Sequence, residues 1–304
     1  MKTYLKLRGV RGSTPTPYQN FLKTGGNTPC IEIMHEGEKT ICDAGTGIVQ
    51  LGSEMVQSPD FIDFNLFITH YHWDHIQGLP FFIPAFIPKY NIDIHGPGRS
   101  PEQIQEIISK QMQPPYFPVE TETWLANIHY HIAKKTVTKA GLTVIPFAVH
   151  HPGATFGYRF EVNNKTVVFI PDNELLFIAG NAKEKIKATN DQQEKAWMES
   201  LMLEDQEKSM EYIRDVDYLI HDAQYTTDDY KTKRGWGHSC FVDTVNIAMK
   251  ANVKHLYLYH MDPSYNDEKV DQLEKDAQQL VKDAGSNMIC EIARETTTID
   301  LGKE

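Results

Sequence analysis

The segment Ile68-Thr69-His70-Tyr71-His72-Trp73-Asp74-His75 constrains this chain more than any other. It packs three imidazoles and a carboxylate into six positions directly after the apolar run Phe64 to Thr69. A run of that kind reads as a buried strand, and a core has no use for four adjacent polar groups unless they converge on a shared partner. Neutral imidazole and carboxylate are the donors that zinc and similar divalent metals take, and a loop at a strand end lets alternate side chains turn toward one point. A His-x-His pair alone arises by chance in solvated loops. Asp74-His75 in this register turns it into a metal signal.

The rest of the chain mixes strands with helices. Tyr4 to Leu7, Cys30 to Met34 and Thr40 to Cys42 read as strands bounded by turn residues, and Gln103 to Gln111 as a helix. Leu142 to Val149, Gly157 to Val162 and Thr166 to Ile170 follow as strands, the last two forming a hairpin around Asn163-Asn164. From about 179 to 214 the sequence turns polar and rich in helix formers, with Trp197, Leu201, Met202 and Met210 at loosely helical spacing, which predicts a helical insertion. The remainder alternates: Tyr218 to His221, helix Phe241 to Lys250, His255 to Tyr259, helix Glu268 to Lys282, Met288 to Ala293. Val270, Leu273, Ala277, Leu280 and Val281 form one core-facing stripe of the last helix. No fixed-period repeat or low-complexity linker divides the chain, so an α/β fold with one domain over 1–304 is expected.

A formal net charge of −11 repels phosphate backbones over most of the surface, which disfavours long nucleic acid as a partner. Cys30, Cys42, Cys240 and Cys290 are scattered and fit reduced thiols. Charges interrupt the N-terminus, and no stretch approaches ~18 consecutive apolar residues. A cytoplasmic location without a membrane segment is expected.

His70-x-His72-x-Asp74-His75 resembles the signature of the metallo-β-lactamase superfamily, and later residues fall in the order that superfamily uses. The resemblance implies a four-layer αββα sandwich carrying the helical insertion around 179–214. Its phosphodiesterase branch, which includes ribonuclease Z and cyclic-nucleotide phosphodiesterases, has a ligand histidine ahead of a Gly-Tyr-Arg strand. His151, before Gly157-Tyr158-Arg159, is similar to it, with His150 as the competitor on the opposite strand face. Pro171-Asp172 is placed like the bridging aspartate, and His260 like the last histidine ligand. The implied shells are His70, His72 and His151 on one metal and Asp74, His75 and His260 on the other, joined by Asp172 and a hydroxide that acts as nucleophile. Two divalent ions are thus expected, zinc first, with manganese or iron as alternatives. Asp74 would also orient the nucleophile, and Asp43 in Asp43-Ala-Gly-Thr-Gly47 would support the histidine loop.

Three segments resemble the phosphodiesterase branch: Asp74-His75-Ile76-x-Gly78-Leu79-Pro80, Gly157-Tyr158-Arg159 and Gly237-His238-Ser239. The last is similar to the segment in which ribonuclease Z carries a catalytic histidine, so His238 is the expected general acid. Arg11 or Asn27, in the Gly-rich N-terminal loops, are candidates to reach a phosphate. His35, His95, His129, His131, His221 and His255 match no family position, and His221-Asp222 is left as a possible supporting pair beside the cleft.

The expected function is a phosphodiesterase acting on small cyclic nucleotides, because the long basic arm with which ribonuclease Z grips transfer RNA is not recognisable. The alternative is a ribonuclease Z-like transfer RNA 3′-end endonuclease, and the lesser alternative a metal-binding sensor without catalysis. A homodimer is expected, with Gln113 to Pro118 contributing apolar contact.

Overall fold

Runs of β-branched and aromatic residues pair into two seven-stranded sheets. In this computed structural model, residues 2–58, 62–175, 186, 189 and 191–303 are described. In chain order the strands are Tyr4–Gly9 (β1), Cys30–His35 (β2), Glu38–Cys42 (β3), Asp63–Phe67 (β4), Asn91–Gly96 (β5), Asn127–Ile132 (β6), Val137–Lys139 (β7), Leu142–Ala148 (β8), Phe156–Val162 (β9), Lys165–Ile170 (β10), Tyr218–Asp222 (β11), His255–Tyr259 (β12), Ile289–Ile292 (β13) and Thr298–Asp300 (β14). The helices are Gly47–Gln57 (α1), Trp73–Ile76 (α2), Pro101–Lys110 (α3), Gln192–Glu211 (α4), Thr227–Lys233 (α5), Phe241–Lys250 (α6) and Asp267–Asp283 (α7).

One sheet runs β14-β1-β2-β3-β4-β5-β6 and the other β13-β12-β11-β10-β9-β8-β7. Leu5, Leu7, Ile31 and Ile33 of the first meet Tyr158, Phe160, Phe169 and Tyr257 of the second in a shared core. On the outer face of the first sheet α1 and α3 bury Ile48, Leu51, Met55, Ile104 and Ile108. On the outer face of the second, α6 and α7 bury Val245, Ala248, Val270, Leu273 and Ala277. Each of the Val, Leu, Ile and Met side chains among them contributes on the order of 2 kcal/mol by leaving water. The result is the expected four-layer αββα sandwich.

Local signals place the ends of these elements. Asn163 and Asn164 both take positive φ, 51° and 61°, which the tight turn between β9 and β10 requires. Asn266 caps α7 by accepting from the Lys269 amide, with Asp267 and Glu268 in the first turn and Lys282 in the last. Within the expected insertion, α4 is a helix capped by Asp191, with Met198 and Met210 buried and Trp197 exposed. Residues 179–185, 187, 188 and 190 lie outside the described residues, as do the side chains of Leu201 and Met202.

Both sheets are parallel where the site is built. β3, β4, β5 and β6 run parallel, as do β10, β11, β12 and β13. Asp43 follows β3, His70 to His75 follow β4, Asp172 follows β10, Asp222 ends β11 and His260 follows β12. These strands therefore deliver their polar residues at carboxyl ends, where open α/β sheets place ligands. Among the described residues no helix is long and apolar enough to cross a membrane. All four cysteines are free and buried.

Candidate metal centre

The short helix α2 starts within the histidine run, so His72 stays extended while Asp74 and His75 turn inward on the first helical turn. His70, His72, His151 and Asp172 bring one donor atom each within 4.8 Å of one another, and so do Asp74, His75, Asp172 and His260. Asp172 belongs to both groups and divides its oxygens between them. Oδ2 lies 3.6 Å from His70 Nε2 and 3.5 Å from His151 Nε2. Oδ1 lies 2.9 Å from His75 Nε2 and 3.3 Å from His260 Nε2.

The surroundings orient two of the imidazoles through the ring nitrogen that points away from Asp172. His75 Nδ1 donates to Asp43 Oδ2 at 2.8 Å, while Asp43 also accepts from the Thr69 amide and hydroxyl. Nε2 of His75 is thereby left to face Asp74 and Asp172. His151 Nδ1 donates to the Gly237 carbonyl at 2.7 Å. Gly237 sits at φ +94°, and a Cβ there would fall 2.5 Å from that same ring nitrogen, so both its backbone twist and its lack of a side chain are used. Asp74 Oδ2 accepts from the Ser13 amide at 2.8 Å and lies 3.1 Å from His260 Nε2. Gly12 packs against His260 so closely that a Cβ would stand 2.6 Å from its Nδ1.

The residues fit divalent cations. His70 Nε2 is buried, faces Asp172 from 3.6 Å and has no hydrogen-bond partner, an arrangement that is unfavourable unless something binds there. Burial, reinforced by the neighbouring His75, holds His70 neutral, and burial likewise holds His72 and His151 below the ordinary imidazole range. His75 goes the other way. Burial opposes its charge, yet Asp172, Asp74 and Asp43 together keep it protonated, and a bound cation would take that proton's place. Asp172 is held ionised against burial by the imidazoles of His260, His75 and His70.

A third grouping, Asp222, His238 and His260, adjoins the other two. His238 Nδ1 donates to Asp222 Oδ2 at 2.8 Å, and its ring stacks on His260 at 4.9 Å. Burial opposes its protonation, but the charge and hydrogen bond of Asp222 outweigh that and raise it to about 9. Asp222 is completely buried and also accepts from the amides of Asn173 and Gln224. The sequence left it, with His221, as a possible supporting pair beside the cleft, and of the two it is Asp222 that meets His238. The available signal was its position at a strand end like that of Asp172.

Other residues separate from the site. His221 turns away, donating to the Asp222 carbonyl and lying against Asn173. His151 is buried in the cluster, whereas His150 is exposed. Arg11 does not reach toward a phosphate: it is fully buried, and its guanidinium donates to the carbonyls of Gly25, Tyr265 and Phe21. Asn27 is held by Glu295. The N-terminal loop contributes the Ser13 amide instead, which no side-chain pattern could announce. Tyr158 donates to the Ile68 carbonyl and Arg159 pairs with Glu161, so that motif braces the strands.

Residues 39–190 match the Beta-lactamase superfamily domain, and the chain belongs to that family. It is a metal-dependent hydrolase of this superfamily, and its His/Asp cluster suits divalent metal ions. Ribonuclease Z of Sulfurisphaera tokodaii is 27% identical over 278 residues, covering 81% of this chain and 88% of that protein. Among solved structures, the metallo-beta-lactamase fold protein YhfI from Bacillus subtilis superposes with a TM-score of 0.67 at 16% identity, over 98% of this chain and 99% of that one. Human tRNase Z, short form, superposes with a TM-score of 0.61 at 15% identity, over 98% of this chain and 99% of that one. At these identities the two structures speak for the fold.

Proposed function

We propose that this chain hydrolyses phosphodiester bonds in RNA as a ribonuclease Z-like 3′-end endonuclease of transfer RNA, using two divalent ions, most naturally zinc. The observation that carries the proposal is Asp172 facing two donor groups, one oxygen to each, beside the paired Asp222 and His238. His70, His72 and His151 would hold one ion, and Asp74, His75 and His260 the other, with Asp172 shared. Bound there, two cations lower the pKa of a water between them and neutralise charge on the attacked phosphate. Asp74, fixed by the Ser13 amide, orients the attacking water. His238 presents Nε2 to the leaving oxygen and gives it a proton, while Asp222 holds the opposite nitrogen and stabilises the imidazolium.

The relatives named ribonuclease Z favour this reading over the small cyclic nucleotides that the sequence put first. They also weigh against the bias away from long nucleic acid, which rested on net charge. The small-nucleotide reading keeps one observation in its favour, a cavity of about 460 Å³ beside His70 and His72, a size that suits a single nucleotide. Incubating metal-loaded protein with precursor transfer RNA and with a cyclic-nucleotide panel separates the two. Cleavage at the transfer RNA 3′ end is expected. Turnover of cyclic nucleotides alone would reverse the order, and failure on every phosphodiester would leave the metal-binding sensor. A homodimer stays part of the proposal, supported by Tyr116 and Phe81, which are 82% and 57% exposed.

A further inference from the structure

The cavity beside His70 and His72 differs in charge from the chain around it. Its lining contains Arg99 and Lys134 and no carboxylate, in a protein whose net charge is −11. Arg99 precedes the Ser100 cap of α3, and Lys134 lies in the turn between β6 and β7. Both are exposed, and neither makes an ion pair or a side-chain hydrogen bond among the described residues. Glu102, on the first turn of α3, stays outside the lining. Two cations without carboxylate partners repel each other on the wall of one cavity unless an anion joins them. Tyr71, Ile107 and Phe156 supply apolar wall to the same cavity.

We propose that this cavity is a subsite for a second phosphate of the substrate, about one nucleotide from the scissile one, with Arg99 and Lys134 as its ligands. The inference rests on the phosphodiesterase reading for the position of the scissile phosphate at the histidine cluster. A guanidinium binds two phosphate oxygens at once and a lysine adds a point charge, while the apolar wall accepts the intervening sugar or base. The preferred substrate is then a nucleotide chain carrying a phosphate beyond the bond that breaks, rather than an isolated diester.

Calorimetric titration of metal-loaded protein with adenosine 3′,5′-bisphosphate and with adenosine 5′-monophosphate tests this directly. In the unaltered chain the bisphosphate should bind at least about ten-fold more tightly, since even one of two well-placed charged contacts is worth about that. Arg99→Gln and Lys134→Gln should each shrink that ratio, and the double substitution should bring it near one. The preference should also weaken with added salt. A ratio near one in the unaltered chain, or a full ratio in the double variant, overturns the subsite. Both side chains are exposed, and thermal melting verifies that the variants fold. A bisphosphate preference without cleavage of any phosphodiester upholds the subsite and refutes the proposed function, whereas RNA cleavage without the preference does the reverse.

Discussion

Replacing Asp222 by asparagine removes one charge from the site and almost no volume. The carboxylate accepts three bonds, from the amides of Asn173 and Gln224 and from His238 Nδ1. Asparagine can keep its carbonyl toward Asn173 and His238, which turns its NH2 onto the Gln224 amide. That buried donor–donor contact should destabilise the fold by about 1–3 kcal/mol. The larger consequence concerns His238, which is raised from 6.5 to about 9 although burial works against it. At about 1.4 kcal/mol per pH unit the rise amounts to roughly 3 kcal/mol of preference for the imidazolium, with Asp222 its largest favourable source. Without that charge only Asp172 and Asp74 still oppose burial, so the ring gives up its proton at a lower pH. Activity that needs the imidazolium is lost as pH rises through its pKa, so in the variant the loss moves to lower pH. Steady-state kinetics at saturating metal should show kcat on a dinucleotide falling about 10²-fold. A p-nitrophenyl phosphodiester, whose leaving group departs as a stable anion, should lose far less. Equal losses on both substrates, or none on the dinucleotide, would refute the assignment of His238 as proton donor.

Three further outcomes follow from separate parts of the molecule. His95 lies stacked on Phe67 and against His131, and burial, reinforced by His131, holds it down to about 4 while Asp93 pulls weakly the other way. Its folded pKa lies below the unfolded value, so its contribution is complete above about 6.5 and is lost as pH falls toward 4; urea titrations should show the stability of the native chain relative to His95→Gln dropping by about 3 kcal/mol across that window. Gly12→Ala puts a methyl 2.6 Å from His260 Nδ1, which should displace that ring, lower bound metal in elemental analysis, and destabilise by about 1–3 kcal/mol. Chelation should lower the melting temperature by several degrees, since an ion present at about 100 times its Kd adds roughly 2.7 kcal/mol of stability; an unchanged melt would count against a resident metal.

Some elements escaped the sequence for identifiable reasons. β5 and β6, Asn91–Gly96 and Asn127–Ile132, alternate Ile with Asn, Asp, His and Tyr, so their apolar face is thin. They become strands because β4 offers a parallel edge to β5, and β5 in turn to β6, and pairing there satisfies backbone groups whatever the side chains. The α1 sequence carries two glycines and opens without a capping side chain, which hid a helix held by packing of Ile48, Leu51 and Met55. Arg11 looked like a phosphate ligand because it stands in a Gly-rich loop. Its environment depends on Phe21 and on Tyr265, far away in the chain.

What the sequence determined by itself was local: the spacing of His70, His72, Asp74 and His75 after a strand, the apolar stripe of α7, and the recurrence of polar residues at strand ends. These follow from the two-residue and 3.6-residue periods of the backbone, which a short window reveals. The motif order already put His151 ahead of His150; only the tertiary structure decided that Asp222 pairs with His238 and that Arg99 and Lys134 line one cavity with His70. Those outcomes depend on which strands lie side by side, and strand order is set by burying both sheets against each other across long stretches of chain.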